Sequence, residues 1–162
     1  MILKDISIRV KDTEIKYDGR EKLAAKYLED KTKNSSDSPY KLKEMLVQYF
    51  KAYEDEKERL IVLMFDTKLK LIGVNLVGVG SLNSAQVHMR EMFRAAILCG
   101  ANAIMTAHNH PSGCLEPSME DYKLFKRAED VGAIVGIEVL DNFVVSTKGD
   151  GNIYSDKSNE VL

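Results

Sequence analysis

The chain has 162 residues, of which 23 are basic and 25 acidic, so its formal net charge is −2. This length favours one domain with its own core, and the balanced charge gives no global attraction to nucleic acid or to membrane surfaces. Two cysteines favour a reducing compartment over a disulfide scaffold, and the lack of a spanning apolar stretch or a signal-peptide core predicts a cytoplasmic protein without membrane contact.

The first 38 residues predict a small unit that differs from the rest of the chain. Residues 2–17 alternate apolar and polar side chains around Lys11-Asp12-Thr13, which is the pattern of a β-hairpin. A short helix is predicted for residues 21–29, and the polar, turn-rich segment 31–39 is the best candidate linker. We therefore divide the chain into residues 1–38 and a core domain of residues 39–162.

The first part of the core domain predicts a helix, a strand hairpin and a second helix. Helical spacing runs from Leu42 to Phe50. Residues 60–65 and 71–79 then predict two strands joined by a turn at Asp66-Thr67-Lys68, and residues 84–99 predict a helix that ends before Gly100. Cys99, at the end of that helix, is expected to be buried. His88, on the same helix, is expected at the surface, with a contact to substrate as the alternative.

Two histidines follow, at the end of the apolar run 103–107. If this run is a strand, the side chains of His108 and His110 project from the same face, so both imidazoles can converge on one ion. Catalytic zinc typically takes three protein ligands and leaves a fourth position for water. Asp121 is the natural third ligand, and Ser118, three residues earlier, would then stand near that water.

The segment between these ligands has further interpretations. Ser118 to Asp121, after Pro117, is also a variant capping box at the start of a helix. The two interpretations are compatible, because a serine can cap a helix and still orient a reacting group. Cys114, in the loop, is interpreted as a small loop residue, with a fourth zinc ligand or a redox role as the alternative.

The last part of the chain completes an α/β fold. After the motif helix, residues 134–140 and 143–146 predict two strands joined at Asp141-Asn142. The expected architecture has three layers, with helices packed on a mixed, curved sheet. The metal site would lie where the histidine strand, its loop and the following helix meet.

The motif resembles a known family. His-X-His, seven residues, Ser-X-X-Asp is similar to the JAMM signature of the metalloproteases with an MPN or JAB domain, whose fold is cytidine-deaminase-like. The wider sequence HNHPSG, with REMFRAA at residues 90–96 and Pro-Ser-X-X-Asp after it, resembles the RadC branch. The resemblance covers about the last two thirds of the chain, from residue 60. Many RadC-like chains have a histidine where this one has Asn142. Full-length members carry a helical-hairpin domain of a DNA-binding type before the metal domain, and the short, strand-like front end here is unlike it.

This resemblance implies roles for individual residues. His108, His110 and Asp121 would bind one zinc ion per chain, and Ser118 would hydrogen-bond the tetrahedral intermediate. The family also uses an upstream glutamate, which takes a proton from the zinc-bound water and passes it to the leaving amine. We assign this role to Glu58, just before the first core strand.

The assignment of the glutamate leaves alternatives open. Glu58 lies in the charged run 54–59, most members of which are expected to be solvated. Glu56 and Glu91 are the other candidates for the acid.

Three functions follow from the resemblance. The first is hydrolysis of a peptide or isopeptide bond in a protein substrate, by a water molecule whose pKa the zinc lowers. The second is a DNA-repair-associated enzyme acting on or with nucleic acid, which the charge balance does not support unless Lys123, Lys126 and Arg127 form a basic patch instead of a solvated helix face. The third is a non-catalytic MPN-type interaction module, against which the intact ligands and Ser118 argue.

A substrate tail is expected to pair with a sheet edge by strand addition.

Overall fold

A computed structural model describes residues 39–51, 57–80, 87–149 and 151–162. The hairpin and the helix predicted within residues 1–30 lie outside these ranges, as do Glu56 and all of the predicted linker except Pro39, which starts α1. The elements in chain order are α1 (Pro39–Lys51), β1 (Arg59–Phe65), β2 (Leu71–Val79), α2 (Met89–Cys99), β3 (Ala103–Asn109), α3 (Met119–Val135), β4 (Glu138–Ser146), β5 (Asn152–Ser155) and β6 (Glu160–Val161). Across the described ranges, no helix is long and apolar enough to cross a membrane.

The strands form one mixed sheet in the order β2-β1-β3-β4-β5-β6. β3 and β4 run parallel, and the other neighbouring pairs run antiparallel. Parallel neighbours need a crossover connection, and α3 supplies it. The loop between β3 and α3 therefore lies at the carboxyl end of a central strand, where side chains from several elements can meet.

Helices cover both faces of this sheet. Leu46 of α1 packs in one apolar cluster with Ile61 of β1. On the opposite face, Phe93 of α2 and Leu124 of α3 pack in a second cluster with Leu60. Because Leu60 and Ile61 are neighbours on one strand and both are fully buried, β1 is covered on both sides. The predicted three-layer α/β fold with a mixed sheet is confirmed.

The β1–β2 hairpin is also confirmed, and Asp66 organises its turn. Its Oδ1 accepts hydrogen bonds from the backbone N–H groups of Lys68 at 2.8 Å and Lys70 at 2.9 Å. The bond from Lys70 is the main reason that the pKa of Asp66 lies below its usual value. Leu69, in the same turn, has a φ of 56°, in the left-handed region that side-chain-bearing residues rarely adopt.

The second helix begins later than predicted and ends where predicted, at Cys99 before Gly100. α2 begins at Met89, and residues 87 and 88, which the sequence placed inside the helix, are not helical. His88 is the N-cap residue and is exposed, as expected for a surface histidine. Cys99 is exposed, so its predicted burial is wrong. It is the last helical residue before Gly100, where the chain turns away from the helix.

The C-terminal strands also differ from the prediction. Residues 134 and 135 belong to α3, which ends at Gly136 with a left-handed φ of 74°. β4 is one strand from residue 138 to residue 146, with a shift of register against β3 at residue 140, so the predicted division into two strands at Asp141-Asn142 is wrong. Both side chains have hydrogen-bond partners elsewhere in the fold, so these polar residues can lie inside a strand. The short strands β5 and β6 were not predicted.

Candidate metal centre

Two histidines and one aspartate converge where β3 ends and α3 begins. The Nε2 atoms of His108 and His110 lie 3.1 Å apart. The carboxylate oxygens of Asp121 lie 3.1 Å from Nε2 of His108 and 3.5 Å from Nε2 of His110. One potential ligand atom from each residue falls within 4.8 Å of the others. The convergence expected from the His-X-His spacing is confirmed, and the three side chains form a possible metal site.

The path of β3 produces this convergence. His108 pairs with Leu60 of β1 on one side and with Val144 of β4 on the other. One step later the pairing with β1 has ended, while the backbone N–H of His110 still donates to the carbonyl of Val145 at 3.2 Å. The end of β3 therefore follows β4 and separates from β1, and His110 lies at this opening.

The ring of His110 is oriented by the loop that follows it. Its Nδ1 lies 2.9 Å from the carbonyl oxygen of Cys114. Because a carbonyl only accepts, Nδ1 carries a proton, and in the neutral ring Nε2 then presents its lone pair to the candidate metal site. Lys148 holds the same loop by donating to the carbonyl of Ser112 at 2.7 Å. Cys114 thus contributes its backbone, and within the described ranges the potential ligand group does not include its sulfur.

His108 is the most deeply buried member of the group. Its side chain is 1% exposed, and its ring centroid lies 5.9 Å from that of Phe125 on α3. Its Nδ1 has no hydrogen-bond partner within the described residues. Its Nε2 faces the lone pair of His110 and the carboxylate of Asp121, groups that repel one another unless a proton or a cation lies between them. Two imidazole nitrogens and one carboxylate oxygen are a common zinc ligand set, so these residues fit that ion.

The charges of the group are strongly coupled. Burial acts to raise the pKa of Asp121, but the hydrogen bonds with His108, His110 and Ser118 outweigh it and hold that pKa well below its usual range. The pKa of His110 is raised, first by its hydrogen bond with Asp121, against the effect of burial. The carboxylate therefore stays ionised and gives the site a fixed negative charge.

Ser118 and Asp121 together start α3. Ser118 is the N-cap residue, and its hydroxyl accepts a hydrogen bond from the backbone N–H of Asp121 at 3.2 Å. In return, Asp121 Oδ2 accepts from the backbone N–H of Ser118 at 2.7 Å, which completes a capping box. The cap interpretation of this segment is confirmed, and Ser118 lies at the exposed edge of the group.

Glu58 immediately precedes β1, the strand that pairs with the histidine-bearing strand β3. Leu60 is paired with His108, and Glu58 comes two residues before Leu60. The backbone at Glu58 still pairs with the chain beyond β2, because the N–H of Gly80 donates to the carbonyl of Glu58 at 2.9 Å. Alternation then puts Glu58 on the face that carries His108. The charge of Glu58 is also one of the smaller causes of the raised pKa of His110. This placement favours Glu58 as the acid, and its role stays a prediction.

The second candidate acid is placed differently. Glu91 lies on α2, with its carboxylate 2.9 Å from the guanidinium of Arg94 and 3.4 Å from that of Arg90. These exposed contacts give it the environment of a helix-surface residue.

Asn109, between the two histidines, was missed by the sequence analysis. Its Oδ1 accepts from the backbone N–H of Arg59 at 2.8 Å, and its Nδ2 donates to the carbonyl of Lys57 at 3.1 Å. The signal was its spacing, since a residue between two that share a face of a strand must point to the other face.

Asn142 lies on β4, two residues before Val144, the residue that pairs with His108. It pairs with Thr106, accepts from the Thr106 hydroxyl at 2.7 Å, and donates to Asp156 Oδ2 at 3.4 Å. Burial is the main cause of the raised pKa of Asp156. Asn142 is therefore part of a buried polar chain behind the site, and it is not in the potential ligand group.

The basic residues on α3 lie beside acidic ones. Lys123 is 2.7 Å from Glu120, and Lys126 is 2.9 Å from Asp130. These exposed pairs favour the interpretation of a solvated helix face.

Comparison with known proteins agrees with the geometry. A family model described as a RadC-like JAB domain matches residues 36–161. Similar curated proteins are the UPF0758 protein of Finegoldia magna, 47% identical over 90 residues (56% of this chain, 40% of the relative), and that of Desulfitobacterium hafniense, 43% identical over 107 residues (66% and 46%). A third, from Methanosarcina mazei, is 37% identical over 109 residues (67% and 46%). The chain spans less than half the length of these relatives, and their name states no activity. Because the family model covers most of its residues, the chain belongs to the RadC-like JAB domain family.

Proposed function

We propose that this domain is a zinc-dependent metallohydrolase of the JAMM type that cleaves a peptide or isopeptide bond in a protein substrate. The observation that carries the proposal is the convergence of His108, His110 and Asp121 within 4.8 Å, next to β1, the strand that Glu58 immediately precedes. A zinc ion held there would lower the pKa of a water molecule to about 7 and polarise the carbonyl to be attacked.

Each of the three proposed ligands is held in place by a different structural contact. His108 is fixed by burial against Phe125, and His110 is fixed by the bond from its Nδ1–H to Cys114. Asp121 is fixed by the capping box at the start of α3. Each ligand therefore has its own structural support, which is what a preorganised site requires.

Glu58 supplies the proton transfer in this proposal. Its carboxylate accepts a proton from the attacking water and donates it to the nitrogen of the leaving amine, so the amine departs neutral. A positioned acid–base group of this kind contributes roughly 10²- to 10⁴-fold to the rate.

Ser118 supplies a hydrogen bond to the carbonyl oxygen as it gains negative charge. In the structure its hydroxyl donates to Asp121 Oδ2 at 2.6 Å, so it must rotate about its Cβ–Oγ bond to reach a substrate. Removing one such donor typically costs about 3 to 4 kcal/mol of transition-state stabilisation.

The test is hydrolysis by the zinc-loaded chain of two sets of quenched peptides, one linear and one with a lysine isopeptide bond. We expect turnover of one set, and a fall in kcat of about 10²-fold or more in Glu58→Gln with zinc content unchanged. Glu91→Gln, which changes a glutamate on α2, is the matched control and should keep parental kcat.

The alternatives have distinct outcomes in the same experiment. A zinc-loaded parent that cleaves no peptide of either kind would contradict the proposal and favour the interaction module. Cleavage of a phosphodiester substrate by the same preparation, and of no peptide, would favour the nucleic-acid enzyme.

A further inference from the structure

The Asn109 side chain bridges an opening in the sheet. The pairing of β1 with β3 ends at Leu60 and His108, since β3 then follows β4. Beyond that point the Asn109 amide takes the place of a backbone peptide group. It accepts from the N–H of Arg59 and donates to the carbonyl of Lys57, at 2.8 and 3.1 Å. One side chain thus extends the strand pairing past the end of the backbone ladder.

The two groups bound by Asn109 are the immediate neighbours of Glu58. The carbonyl of Glu58 itself accepts from the N–H of Gly80 at 2.9 Å. Asn109 therefore makes two of the hydrogen bonds that hold the backbone from Lys57 to Arg59. Asn109 is only 6% exposed, so water does not readily replace these bonds.

We propose that Asn109 is a positioning residue that fixes Glu58 relative to the metal ligands. The inference rests on the function proposed above. His108 and His110 point toward the metal centre, whereas Asn109 points to the other face and holds the backbone of Glu58. Three consecutive residues, the last two of β3 and the one that follows it, then set the distance between ligands and acid. Proton transfer depends on such distances, because a misplacement of about 1 Å can cost roughly 10²-fold in rate.

The test compares Asn109→Ala, Asn109→Asp and Asn102→Ala in the full chain, alone and combined with Glu58→Gln. Asp keeps an acceptor for Arg59 N–H and loses the donor to Lys57. Asn102 lies at the opposite end of β3, is exposed, and bonds to Phe65 and Glu138 through its backbone, so it is the matched control. Three quantities are measured: zinc content, hydrogen exchange of the Arg59 amide by NMR, and kcat with KM on the cleaved peptide.

We expect Asn109→Ala to keep its zinc and its KM. Its Arg59 amide should exchange about tenfold faster or more, and its kcat should fall about tenfold or more. In the Glu58→Gln background the same substitution should leave kcat unchanged, because the group it positions is already disabled. Asn109→Asp should lie between parent and Ala in both exchange and kcat, and it replaces Ala in the comparison if Ala does not fold. Asn102→Ala should match the parent.

Two results would overturn the inference while leaving the proposed function intact. One is an Asn109→Ala variant whose kcat or whose Arg59 amide exchange equals that of the parent, while Glu58→Gln has a lowered kcat. The other is an equal fall in kcat with and without Glu58→Gln, which would show a general structural effect. By contrast, full activity in Glu58→Gln would contradict the proposed role of Glu58, and with it the positioning role of Asn109.

Discussion

Ser118 and Asp121 exchange three hydrogen bonds that serve both the fold and the metal centre. Asp121 Oδ2 accepts from the N–H and the hydroxyl of Ser118 at 2.7 and 2.6 Å, and the hydroxyl accepts from Asp121 N–H at 3.2 Å. The other carboxylate oxygen lies 3.1 Å from Nε2 of His108. The first turn of α3 therefore places the third member of the candidate metal site, so the carboxylate that caps the helix also belongs to that site.

Ser118→Ala is expected to lower both stability and activity. Loss of an N-cap side chain costs about 1 kcal/mol of the free energy of unfolding, which urea denaturation of the metal-free protein measures. Ser118→Thr keeps both the cap and the hydroxyl and should recover most of the stability and the kcat. An alanine variant as stable as the parent would show that the cap contributes nothing.

The metal-free protein is expected to lose stability as the pH rises above about 6.5. The pKa of His110 is raised in the fold, first by its hydrogen bond with Asp121. The stability it contributes is therefore fully present below the unfolded pKa of about 6.5 and is lost as the pH rises through the folded pKa. Asp121, whose pKa is lowered, contributes stability above about 3.9 that is lost as the pH falls through its folded pKa.

Urea denaturation in the presence of a chelator, at about pH 6 and about pH 8.5, tests the histidine effect. We expect a lower free energy of unfolding at the higher pH for the parent, and a much smaller difference for Asp121→Asn. A parent that is equally stable at both values would contradict this account of His110.

Asn142→Ala is expected to destabilise the protein without releasing its metal. The substitution leaves the Thr106 hydroxyl without its acceptor and Asp156 without its donor. An unsatisfied buried polar group costs about 1 to 3 kcal/mol, measured by urea denaturation. The pair Thr106→Val with Asn142→Leu removes both partners of the Thr106 bond and should be less destabilising than Asn142→Ala; Asp156 loses its donor in both variants, so the difference measures the cost of the unpaired hydroxyl. Loss of zinc from Asn142→Ala alone would instead place this residue among the determinants of metal binding.

Leu69→Asn is expected to stabilise the hairpin turn. Leu69 is 54% exposed and has a φ of 56°, a conformation that costs most side chains roughly 1 to 2 kcal/mol and that asparagine adopts more readily. We expect a gain of about 0.5 to 1 kcal/mol in the free energy of unfolding. Lys68→Asn, on the neighbouring exposed residue, is the control and should give no gain.

The sequence predicted the parts of the fold whose signals are local. The apolar runs of β1 and β2, the spacing of the two histidines and the capping pattern at Ser118 all depend on a few neighbouring residues, and each was confirmed. The junction between two strands predicted at Asp141-Asn142 is wrong, because these polar side chains have hydrogen-bond partners far away in the sequence. Asn142 bonds to Thr106, 36 residues away, and Asp141 bonds to Ser155, 14 residues away.

In the candidate site, too, the features with local signals were predicted and those that depend on long-range contacts were not. The residue types and their spacing indicated which side chains converge, because alternation along a strand is a local property. The hydrogen bonds from Asn109 to the backbone around Glu58 join residues that are 50 or more positions apart in the sequence. They form where β3 stops pairing with β1. Only the pairing of the strands reveals such a contact.

Metal content tests the central claim most directly. The purified parent, His88→Ala and His108→Ala/His110→Ala are each dialysed against zinc, freed of unbound ion and analysed by elemental mass spectrometry. His88 is the exposed third histidine, outside the candidate site, and is the matched control. We predict about one zinc per chain in the parent and in His88→Ala, and almost none in the double variant. A folded parent that retains no zinc, or a double variant that retains as much as the parent, would contradict the assignment of this site.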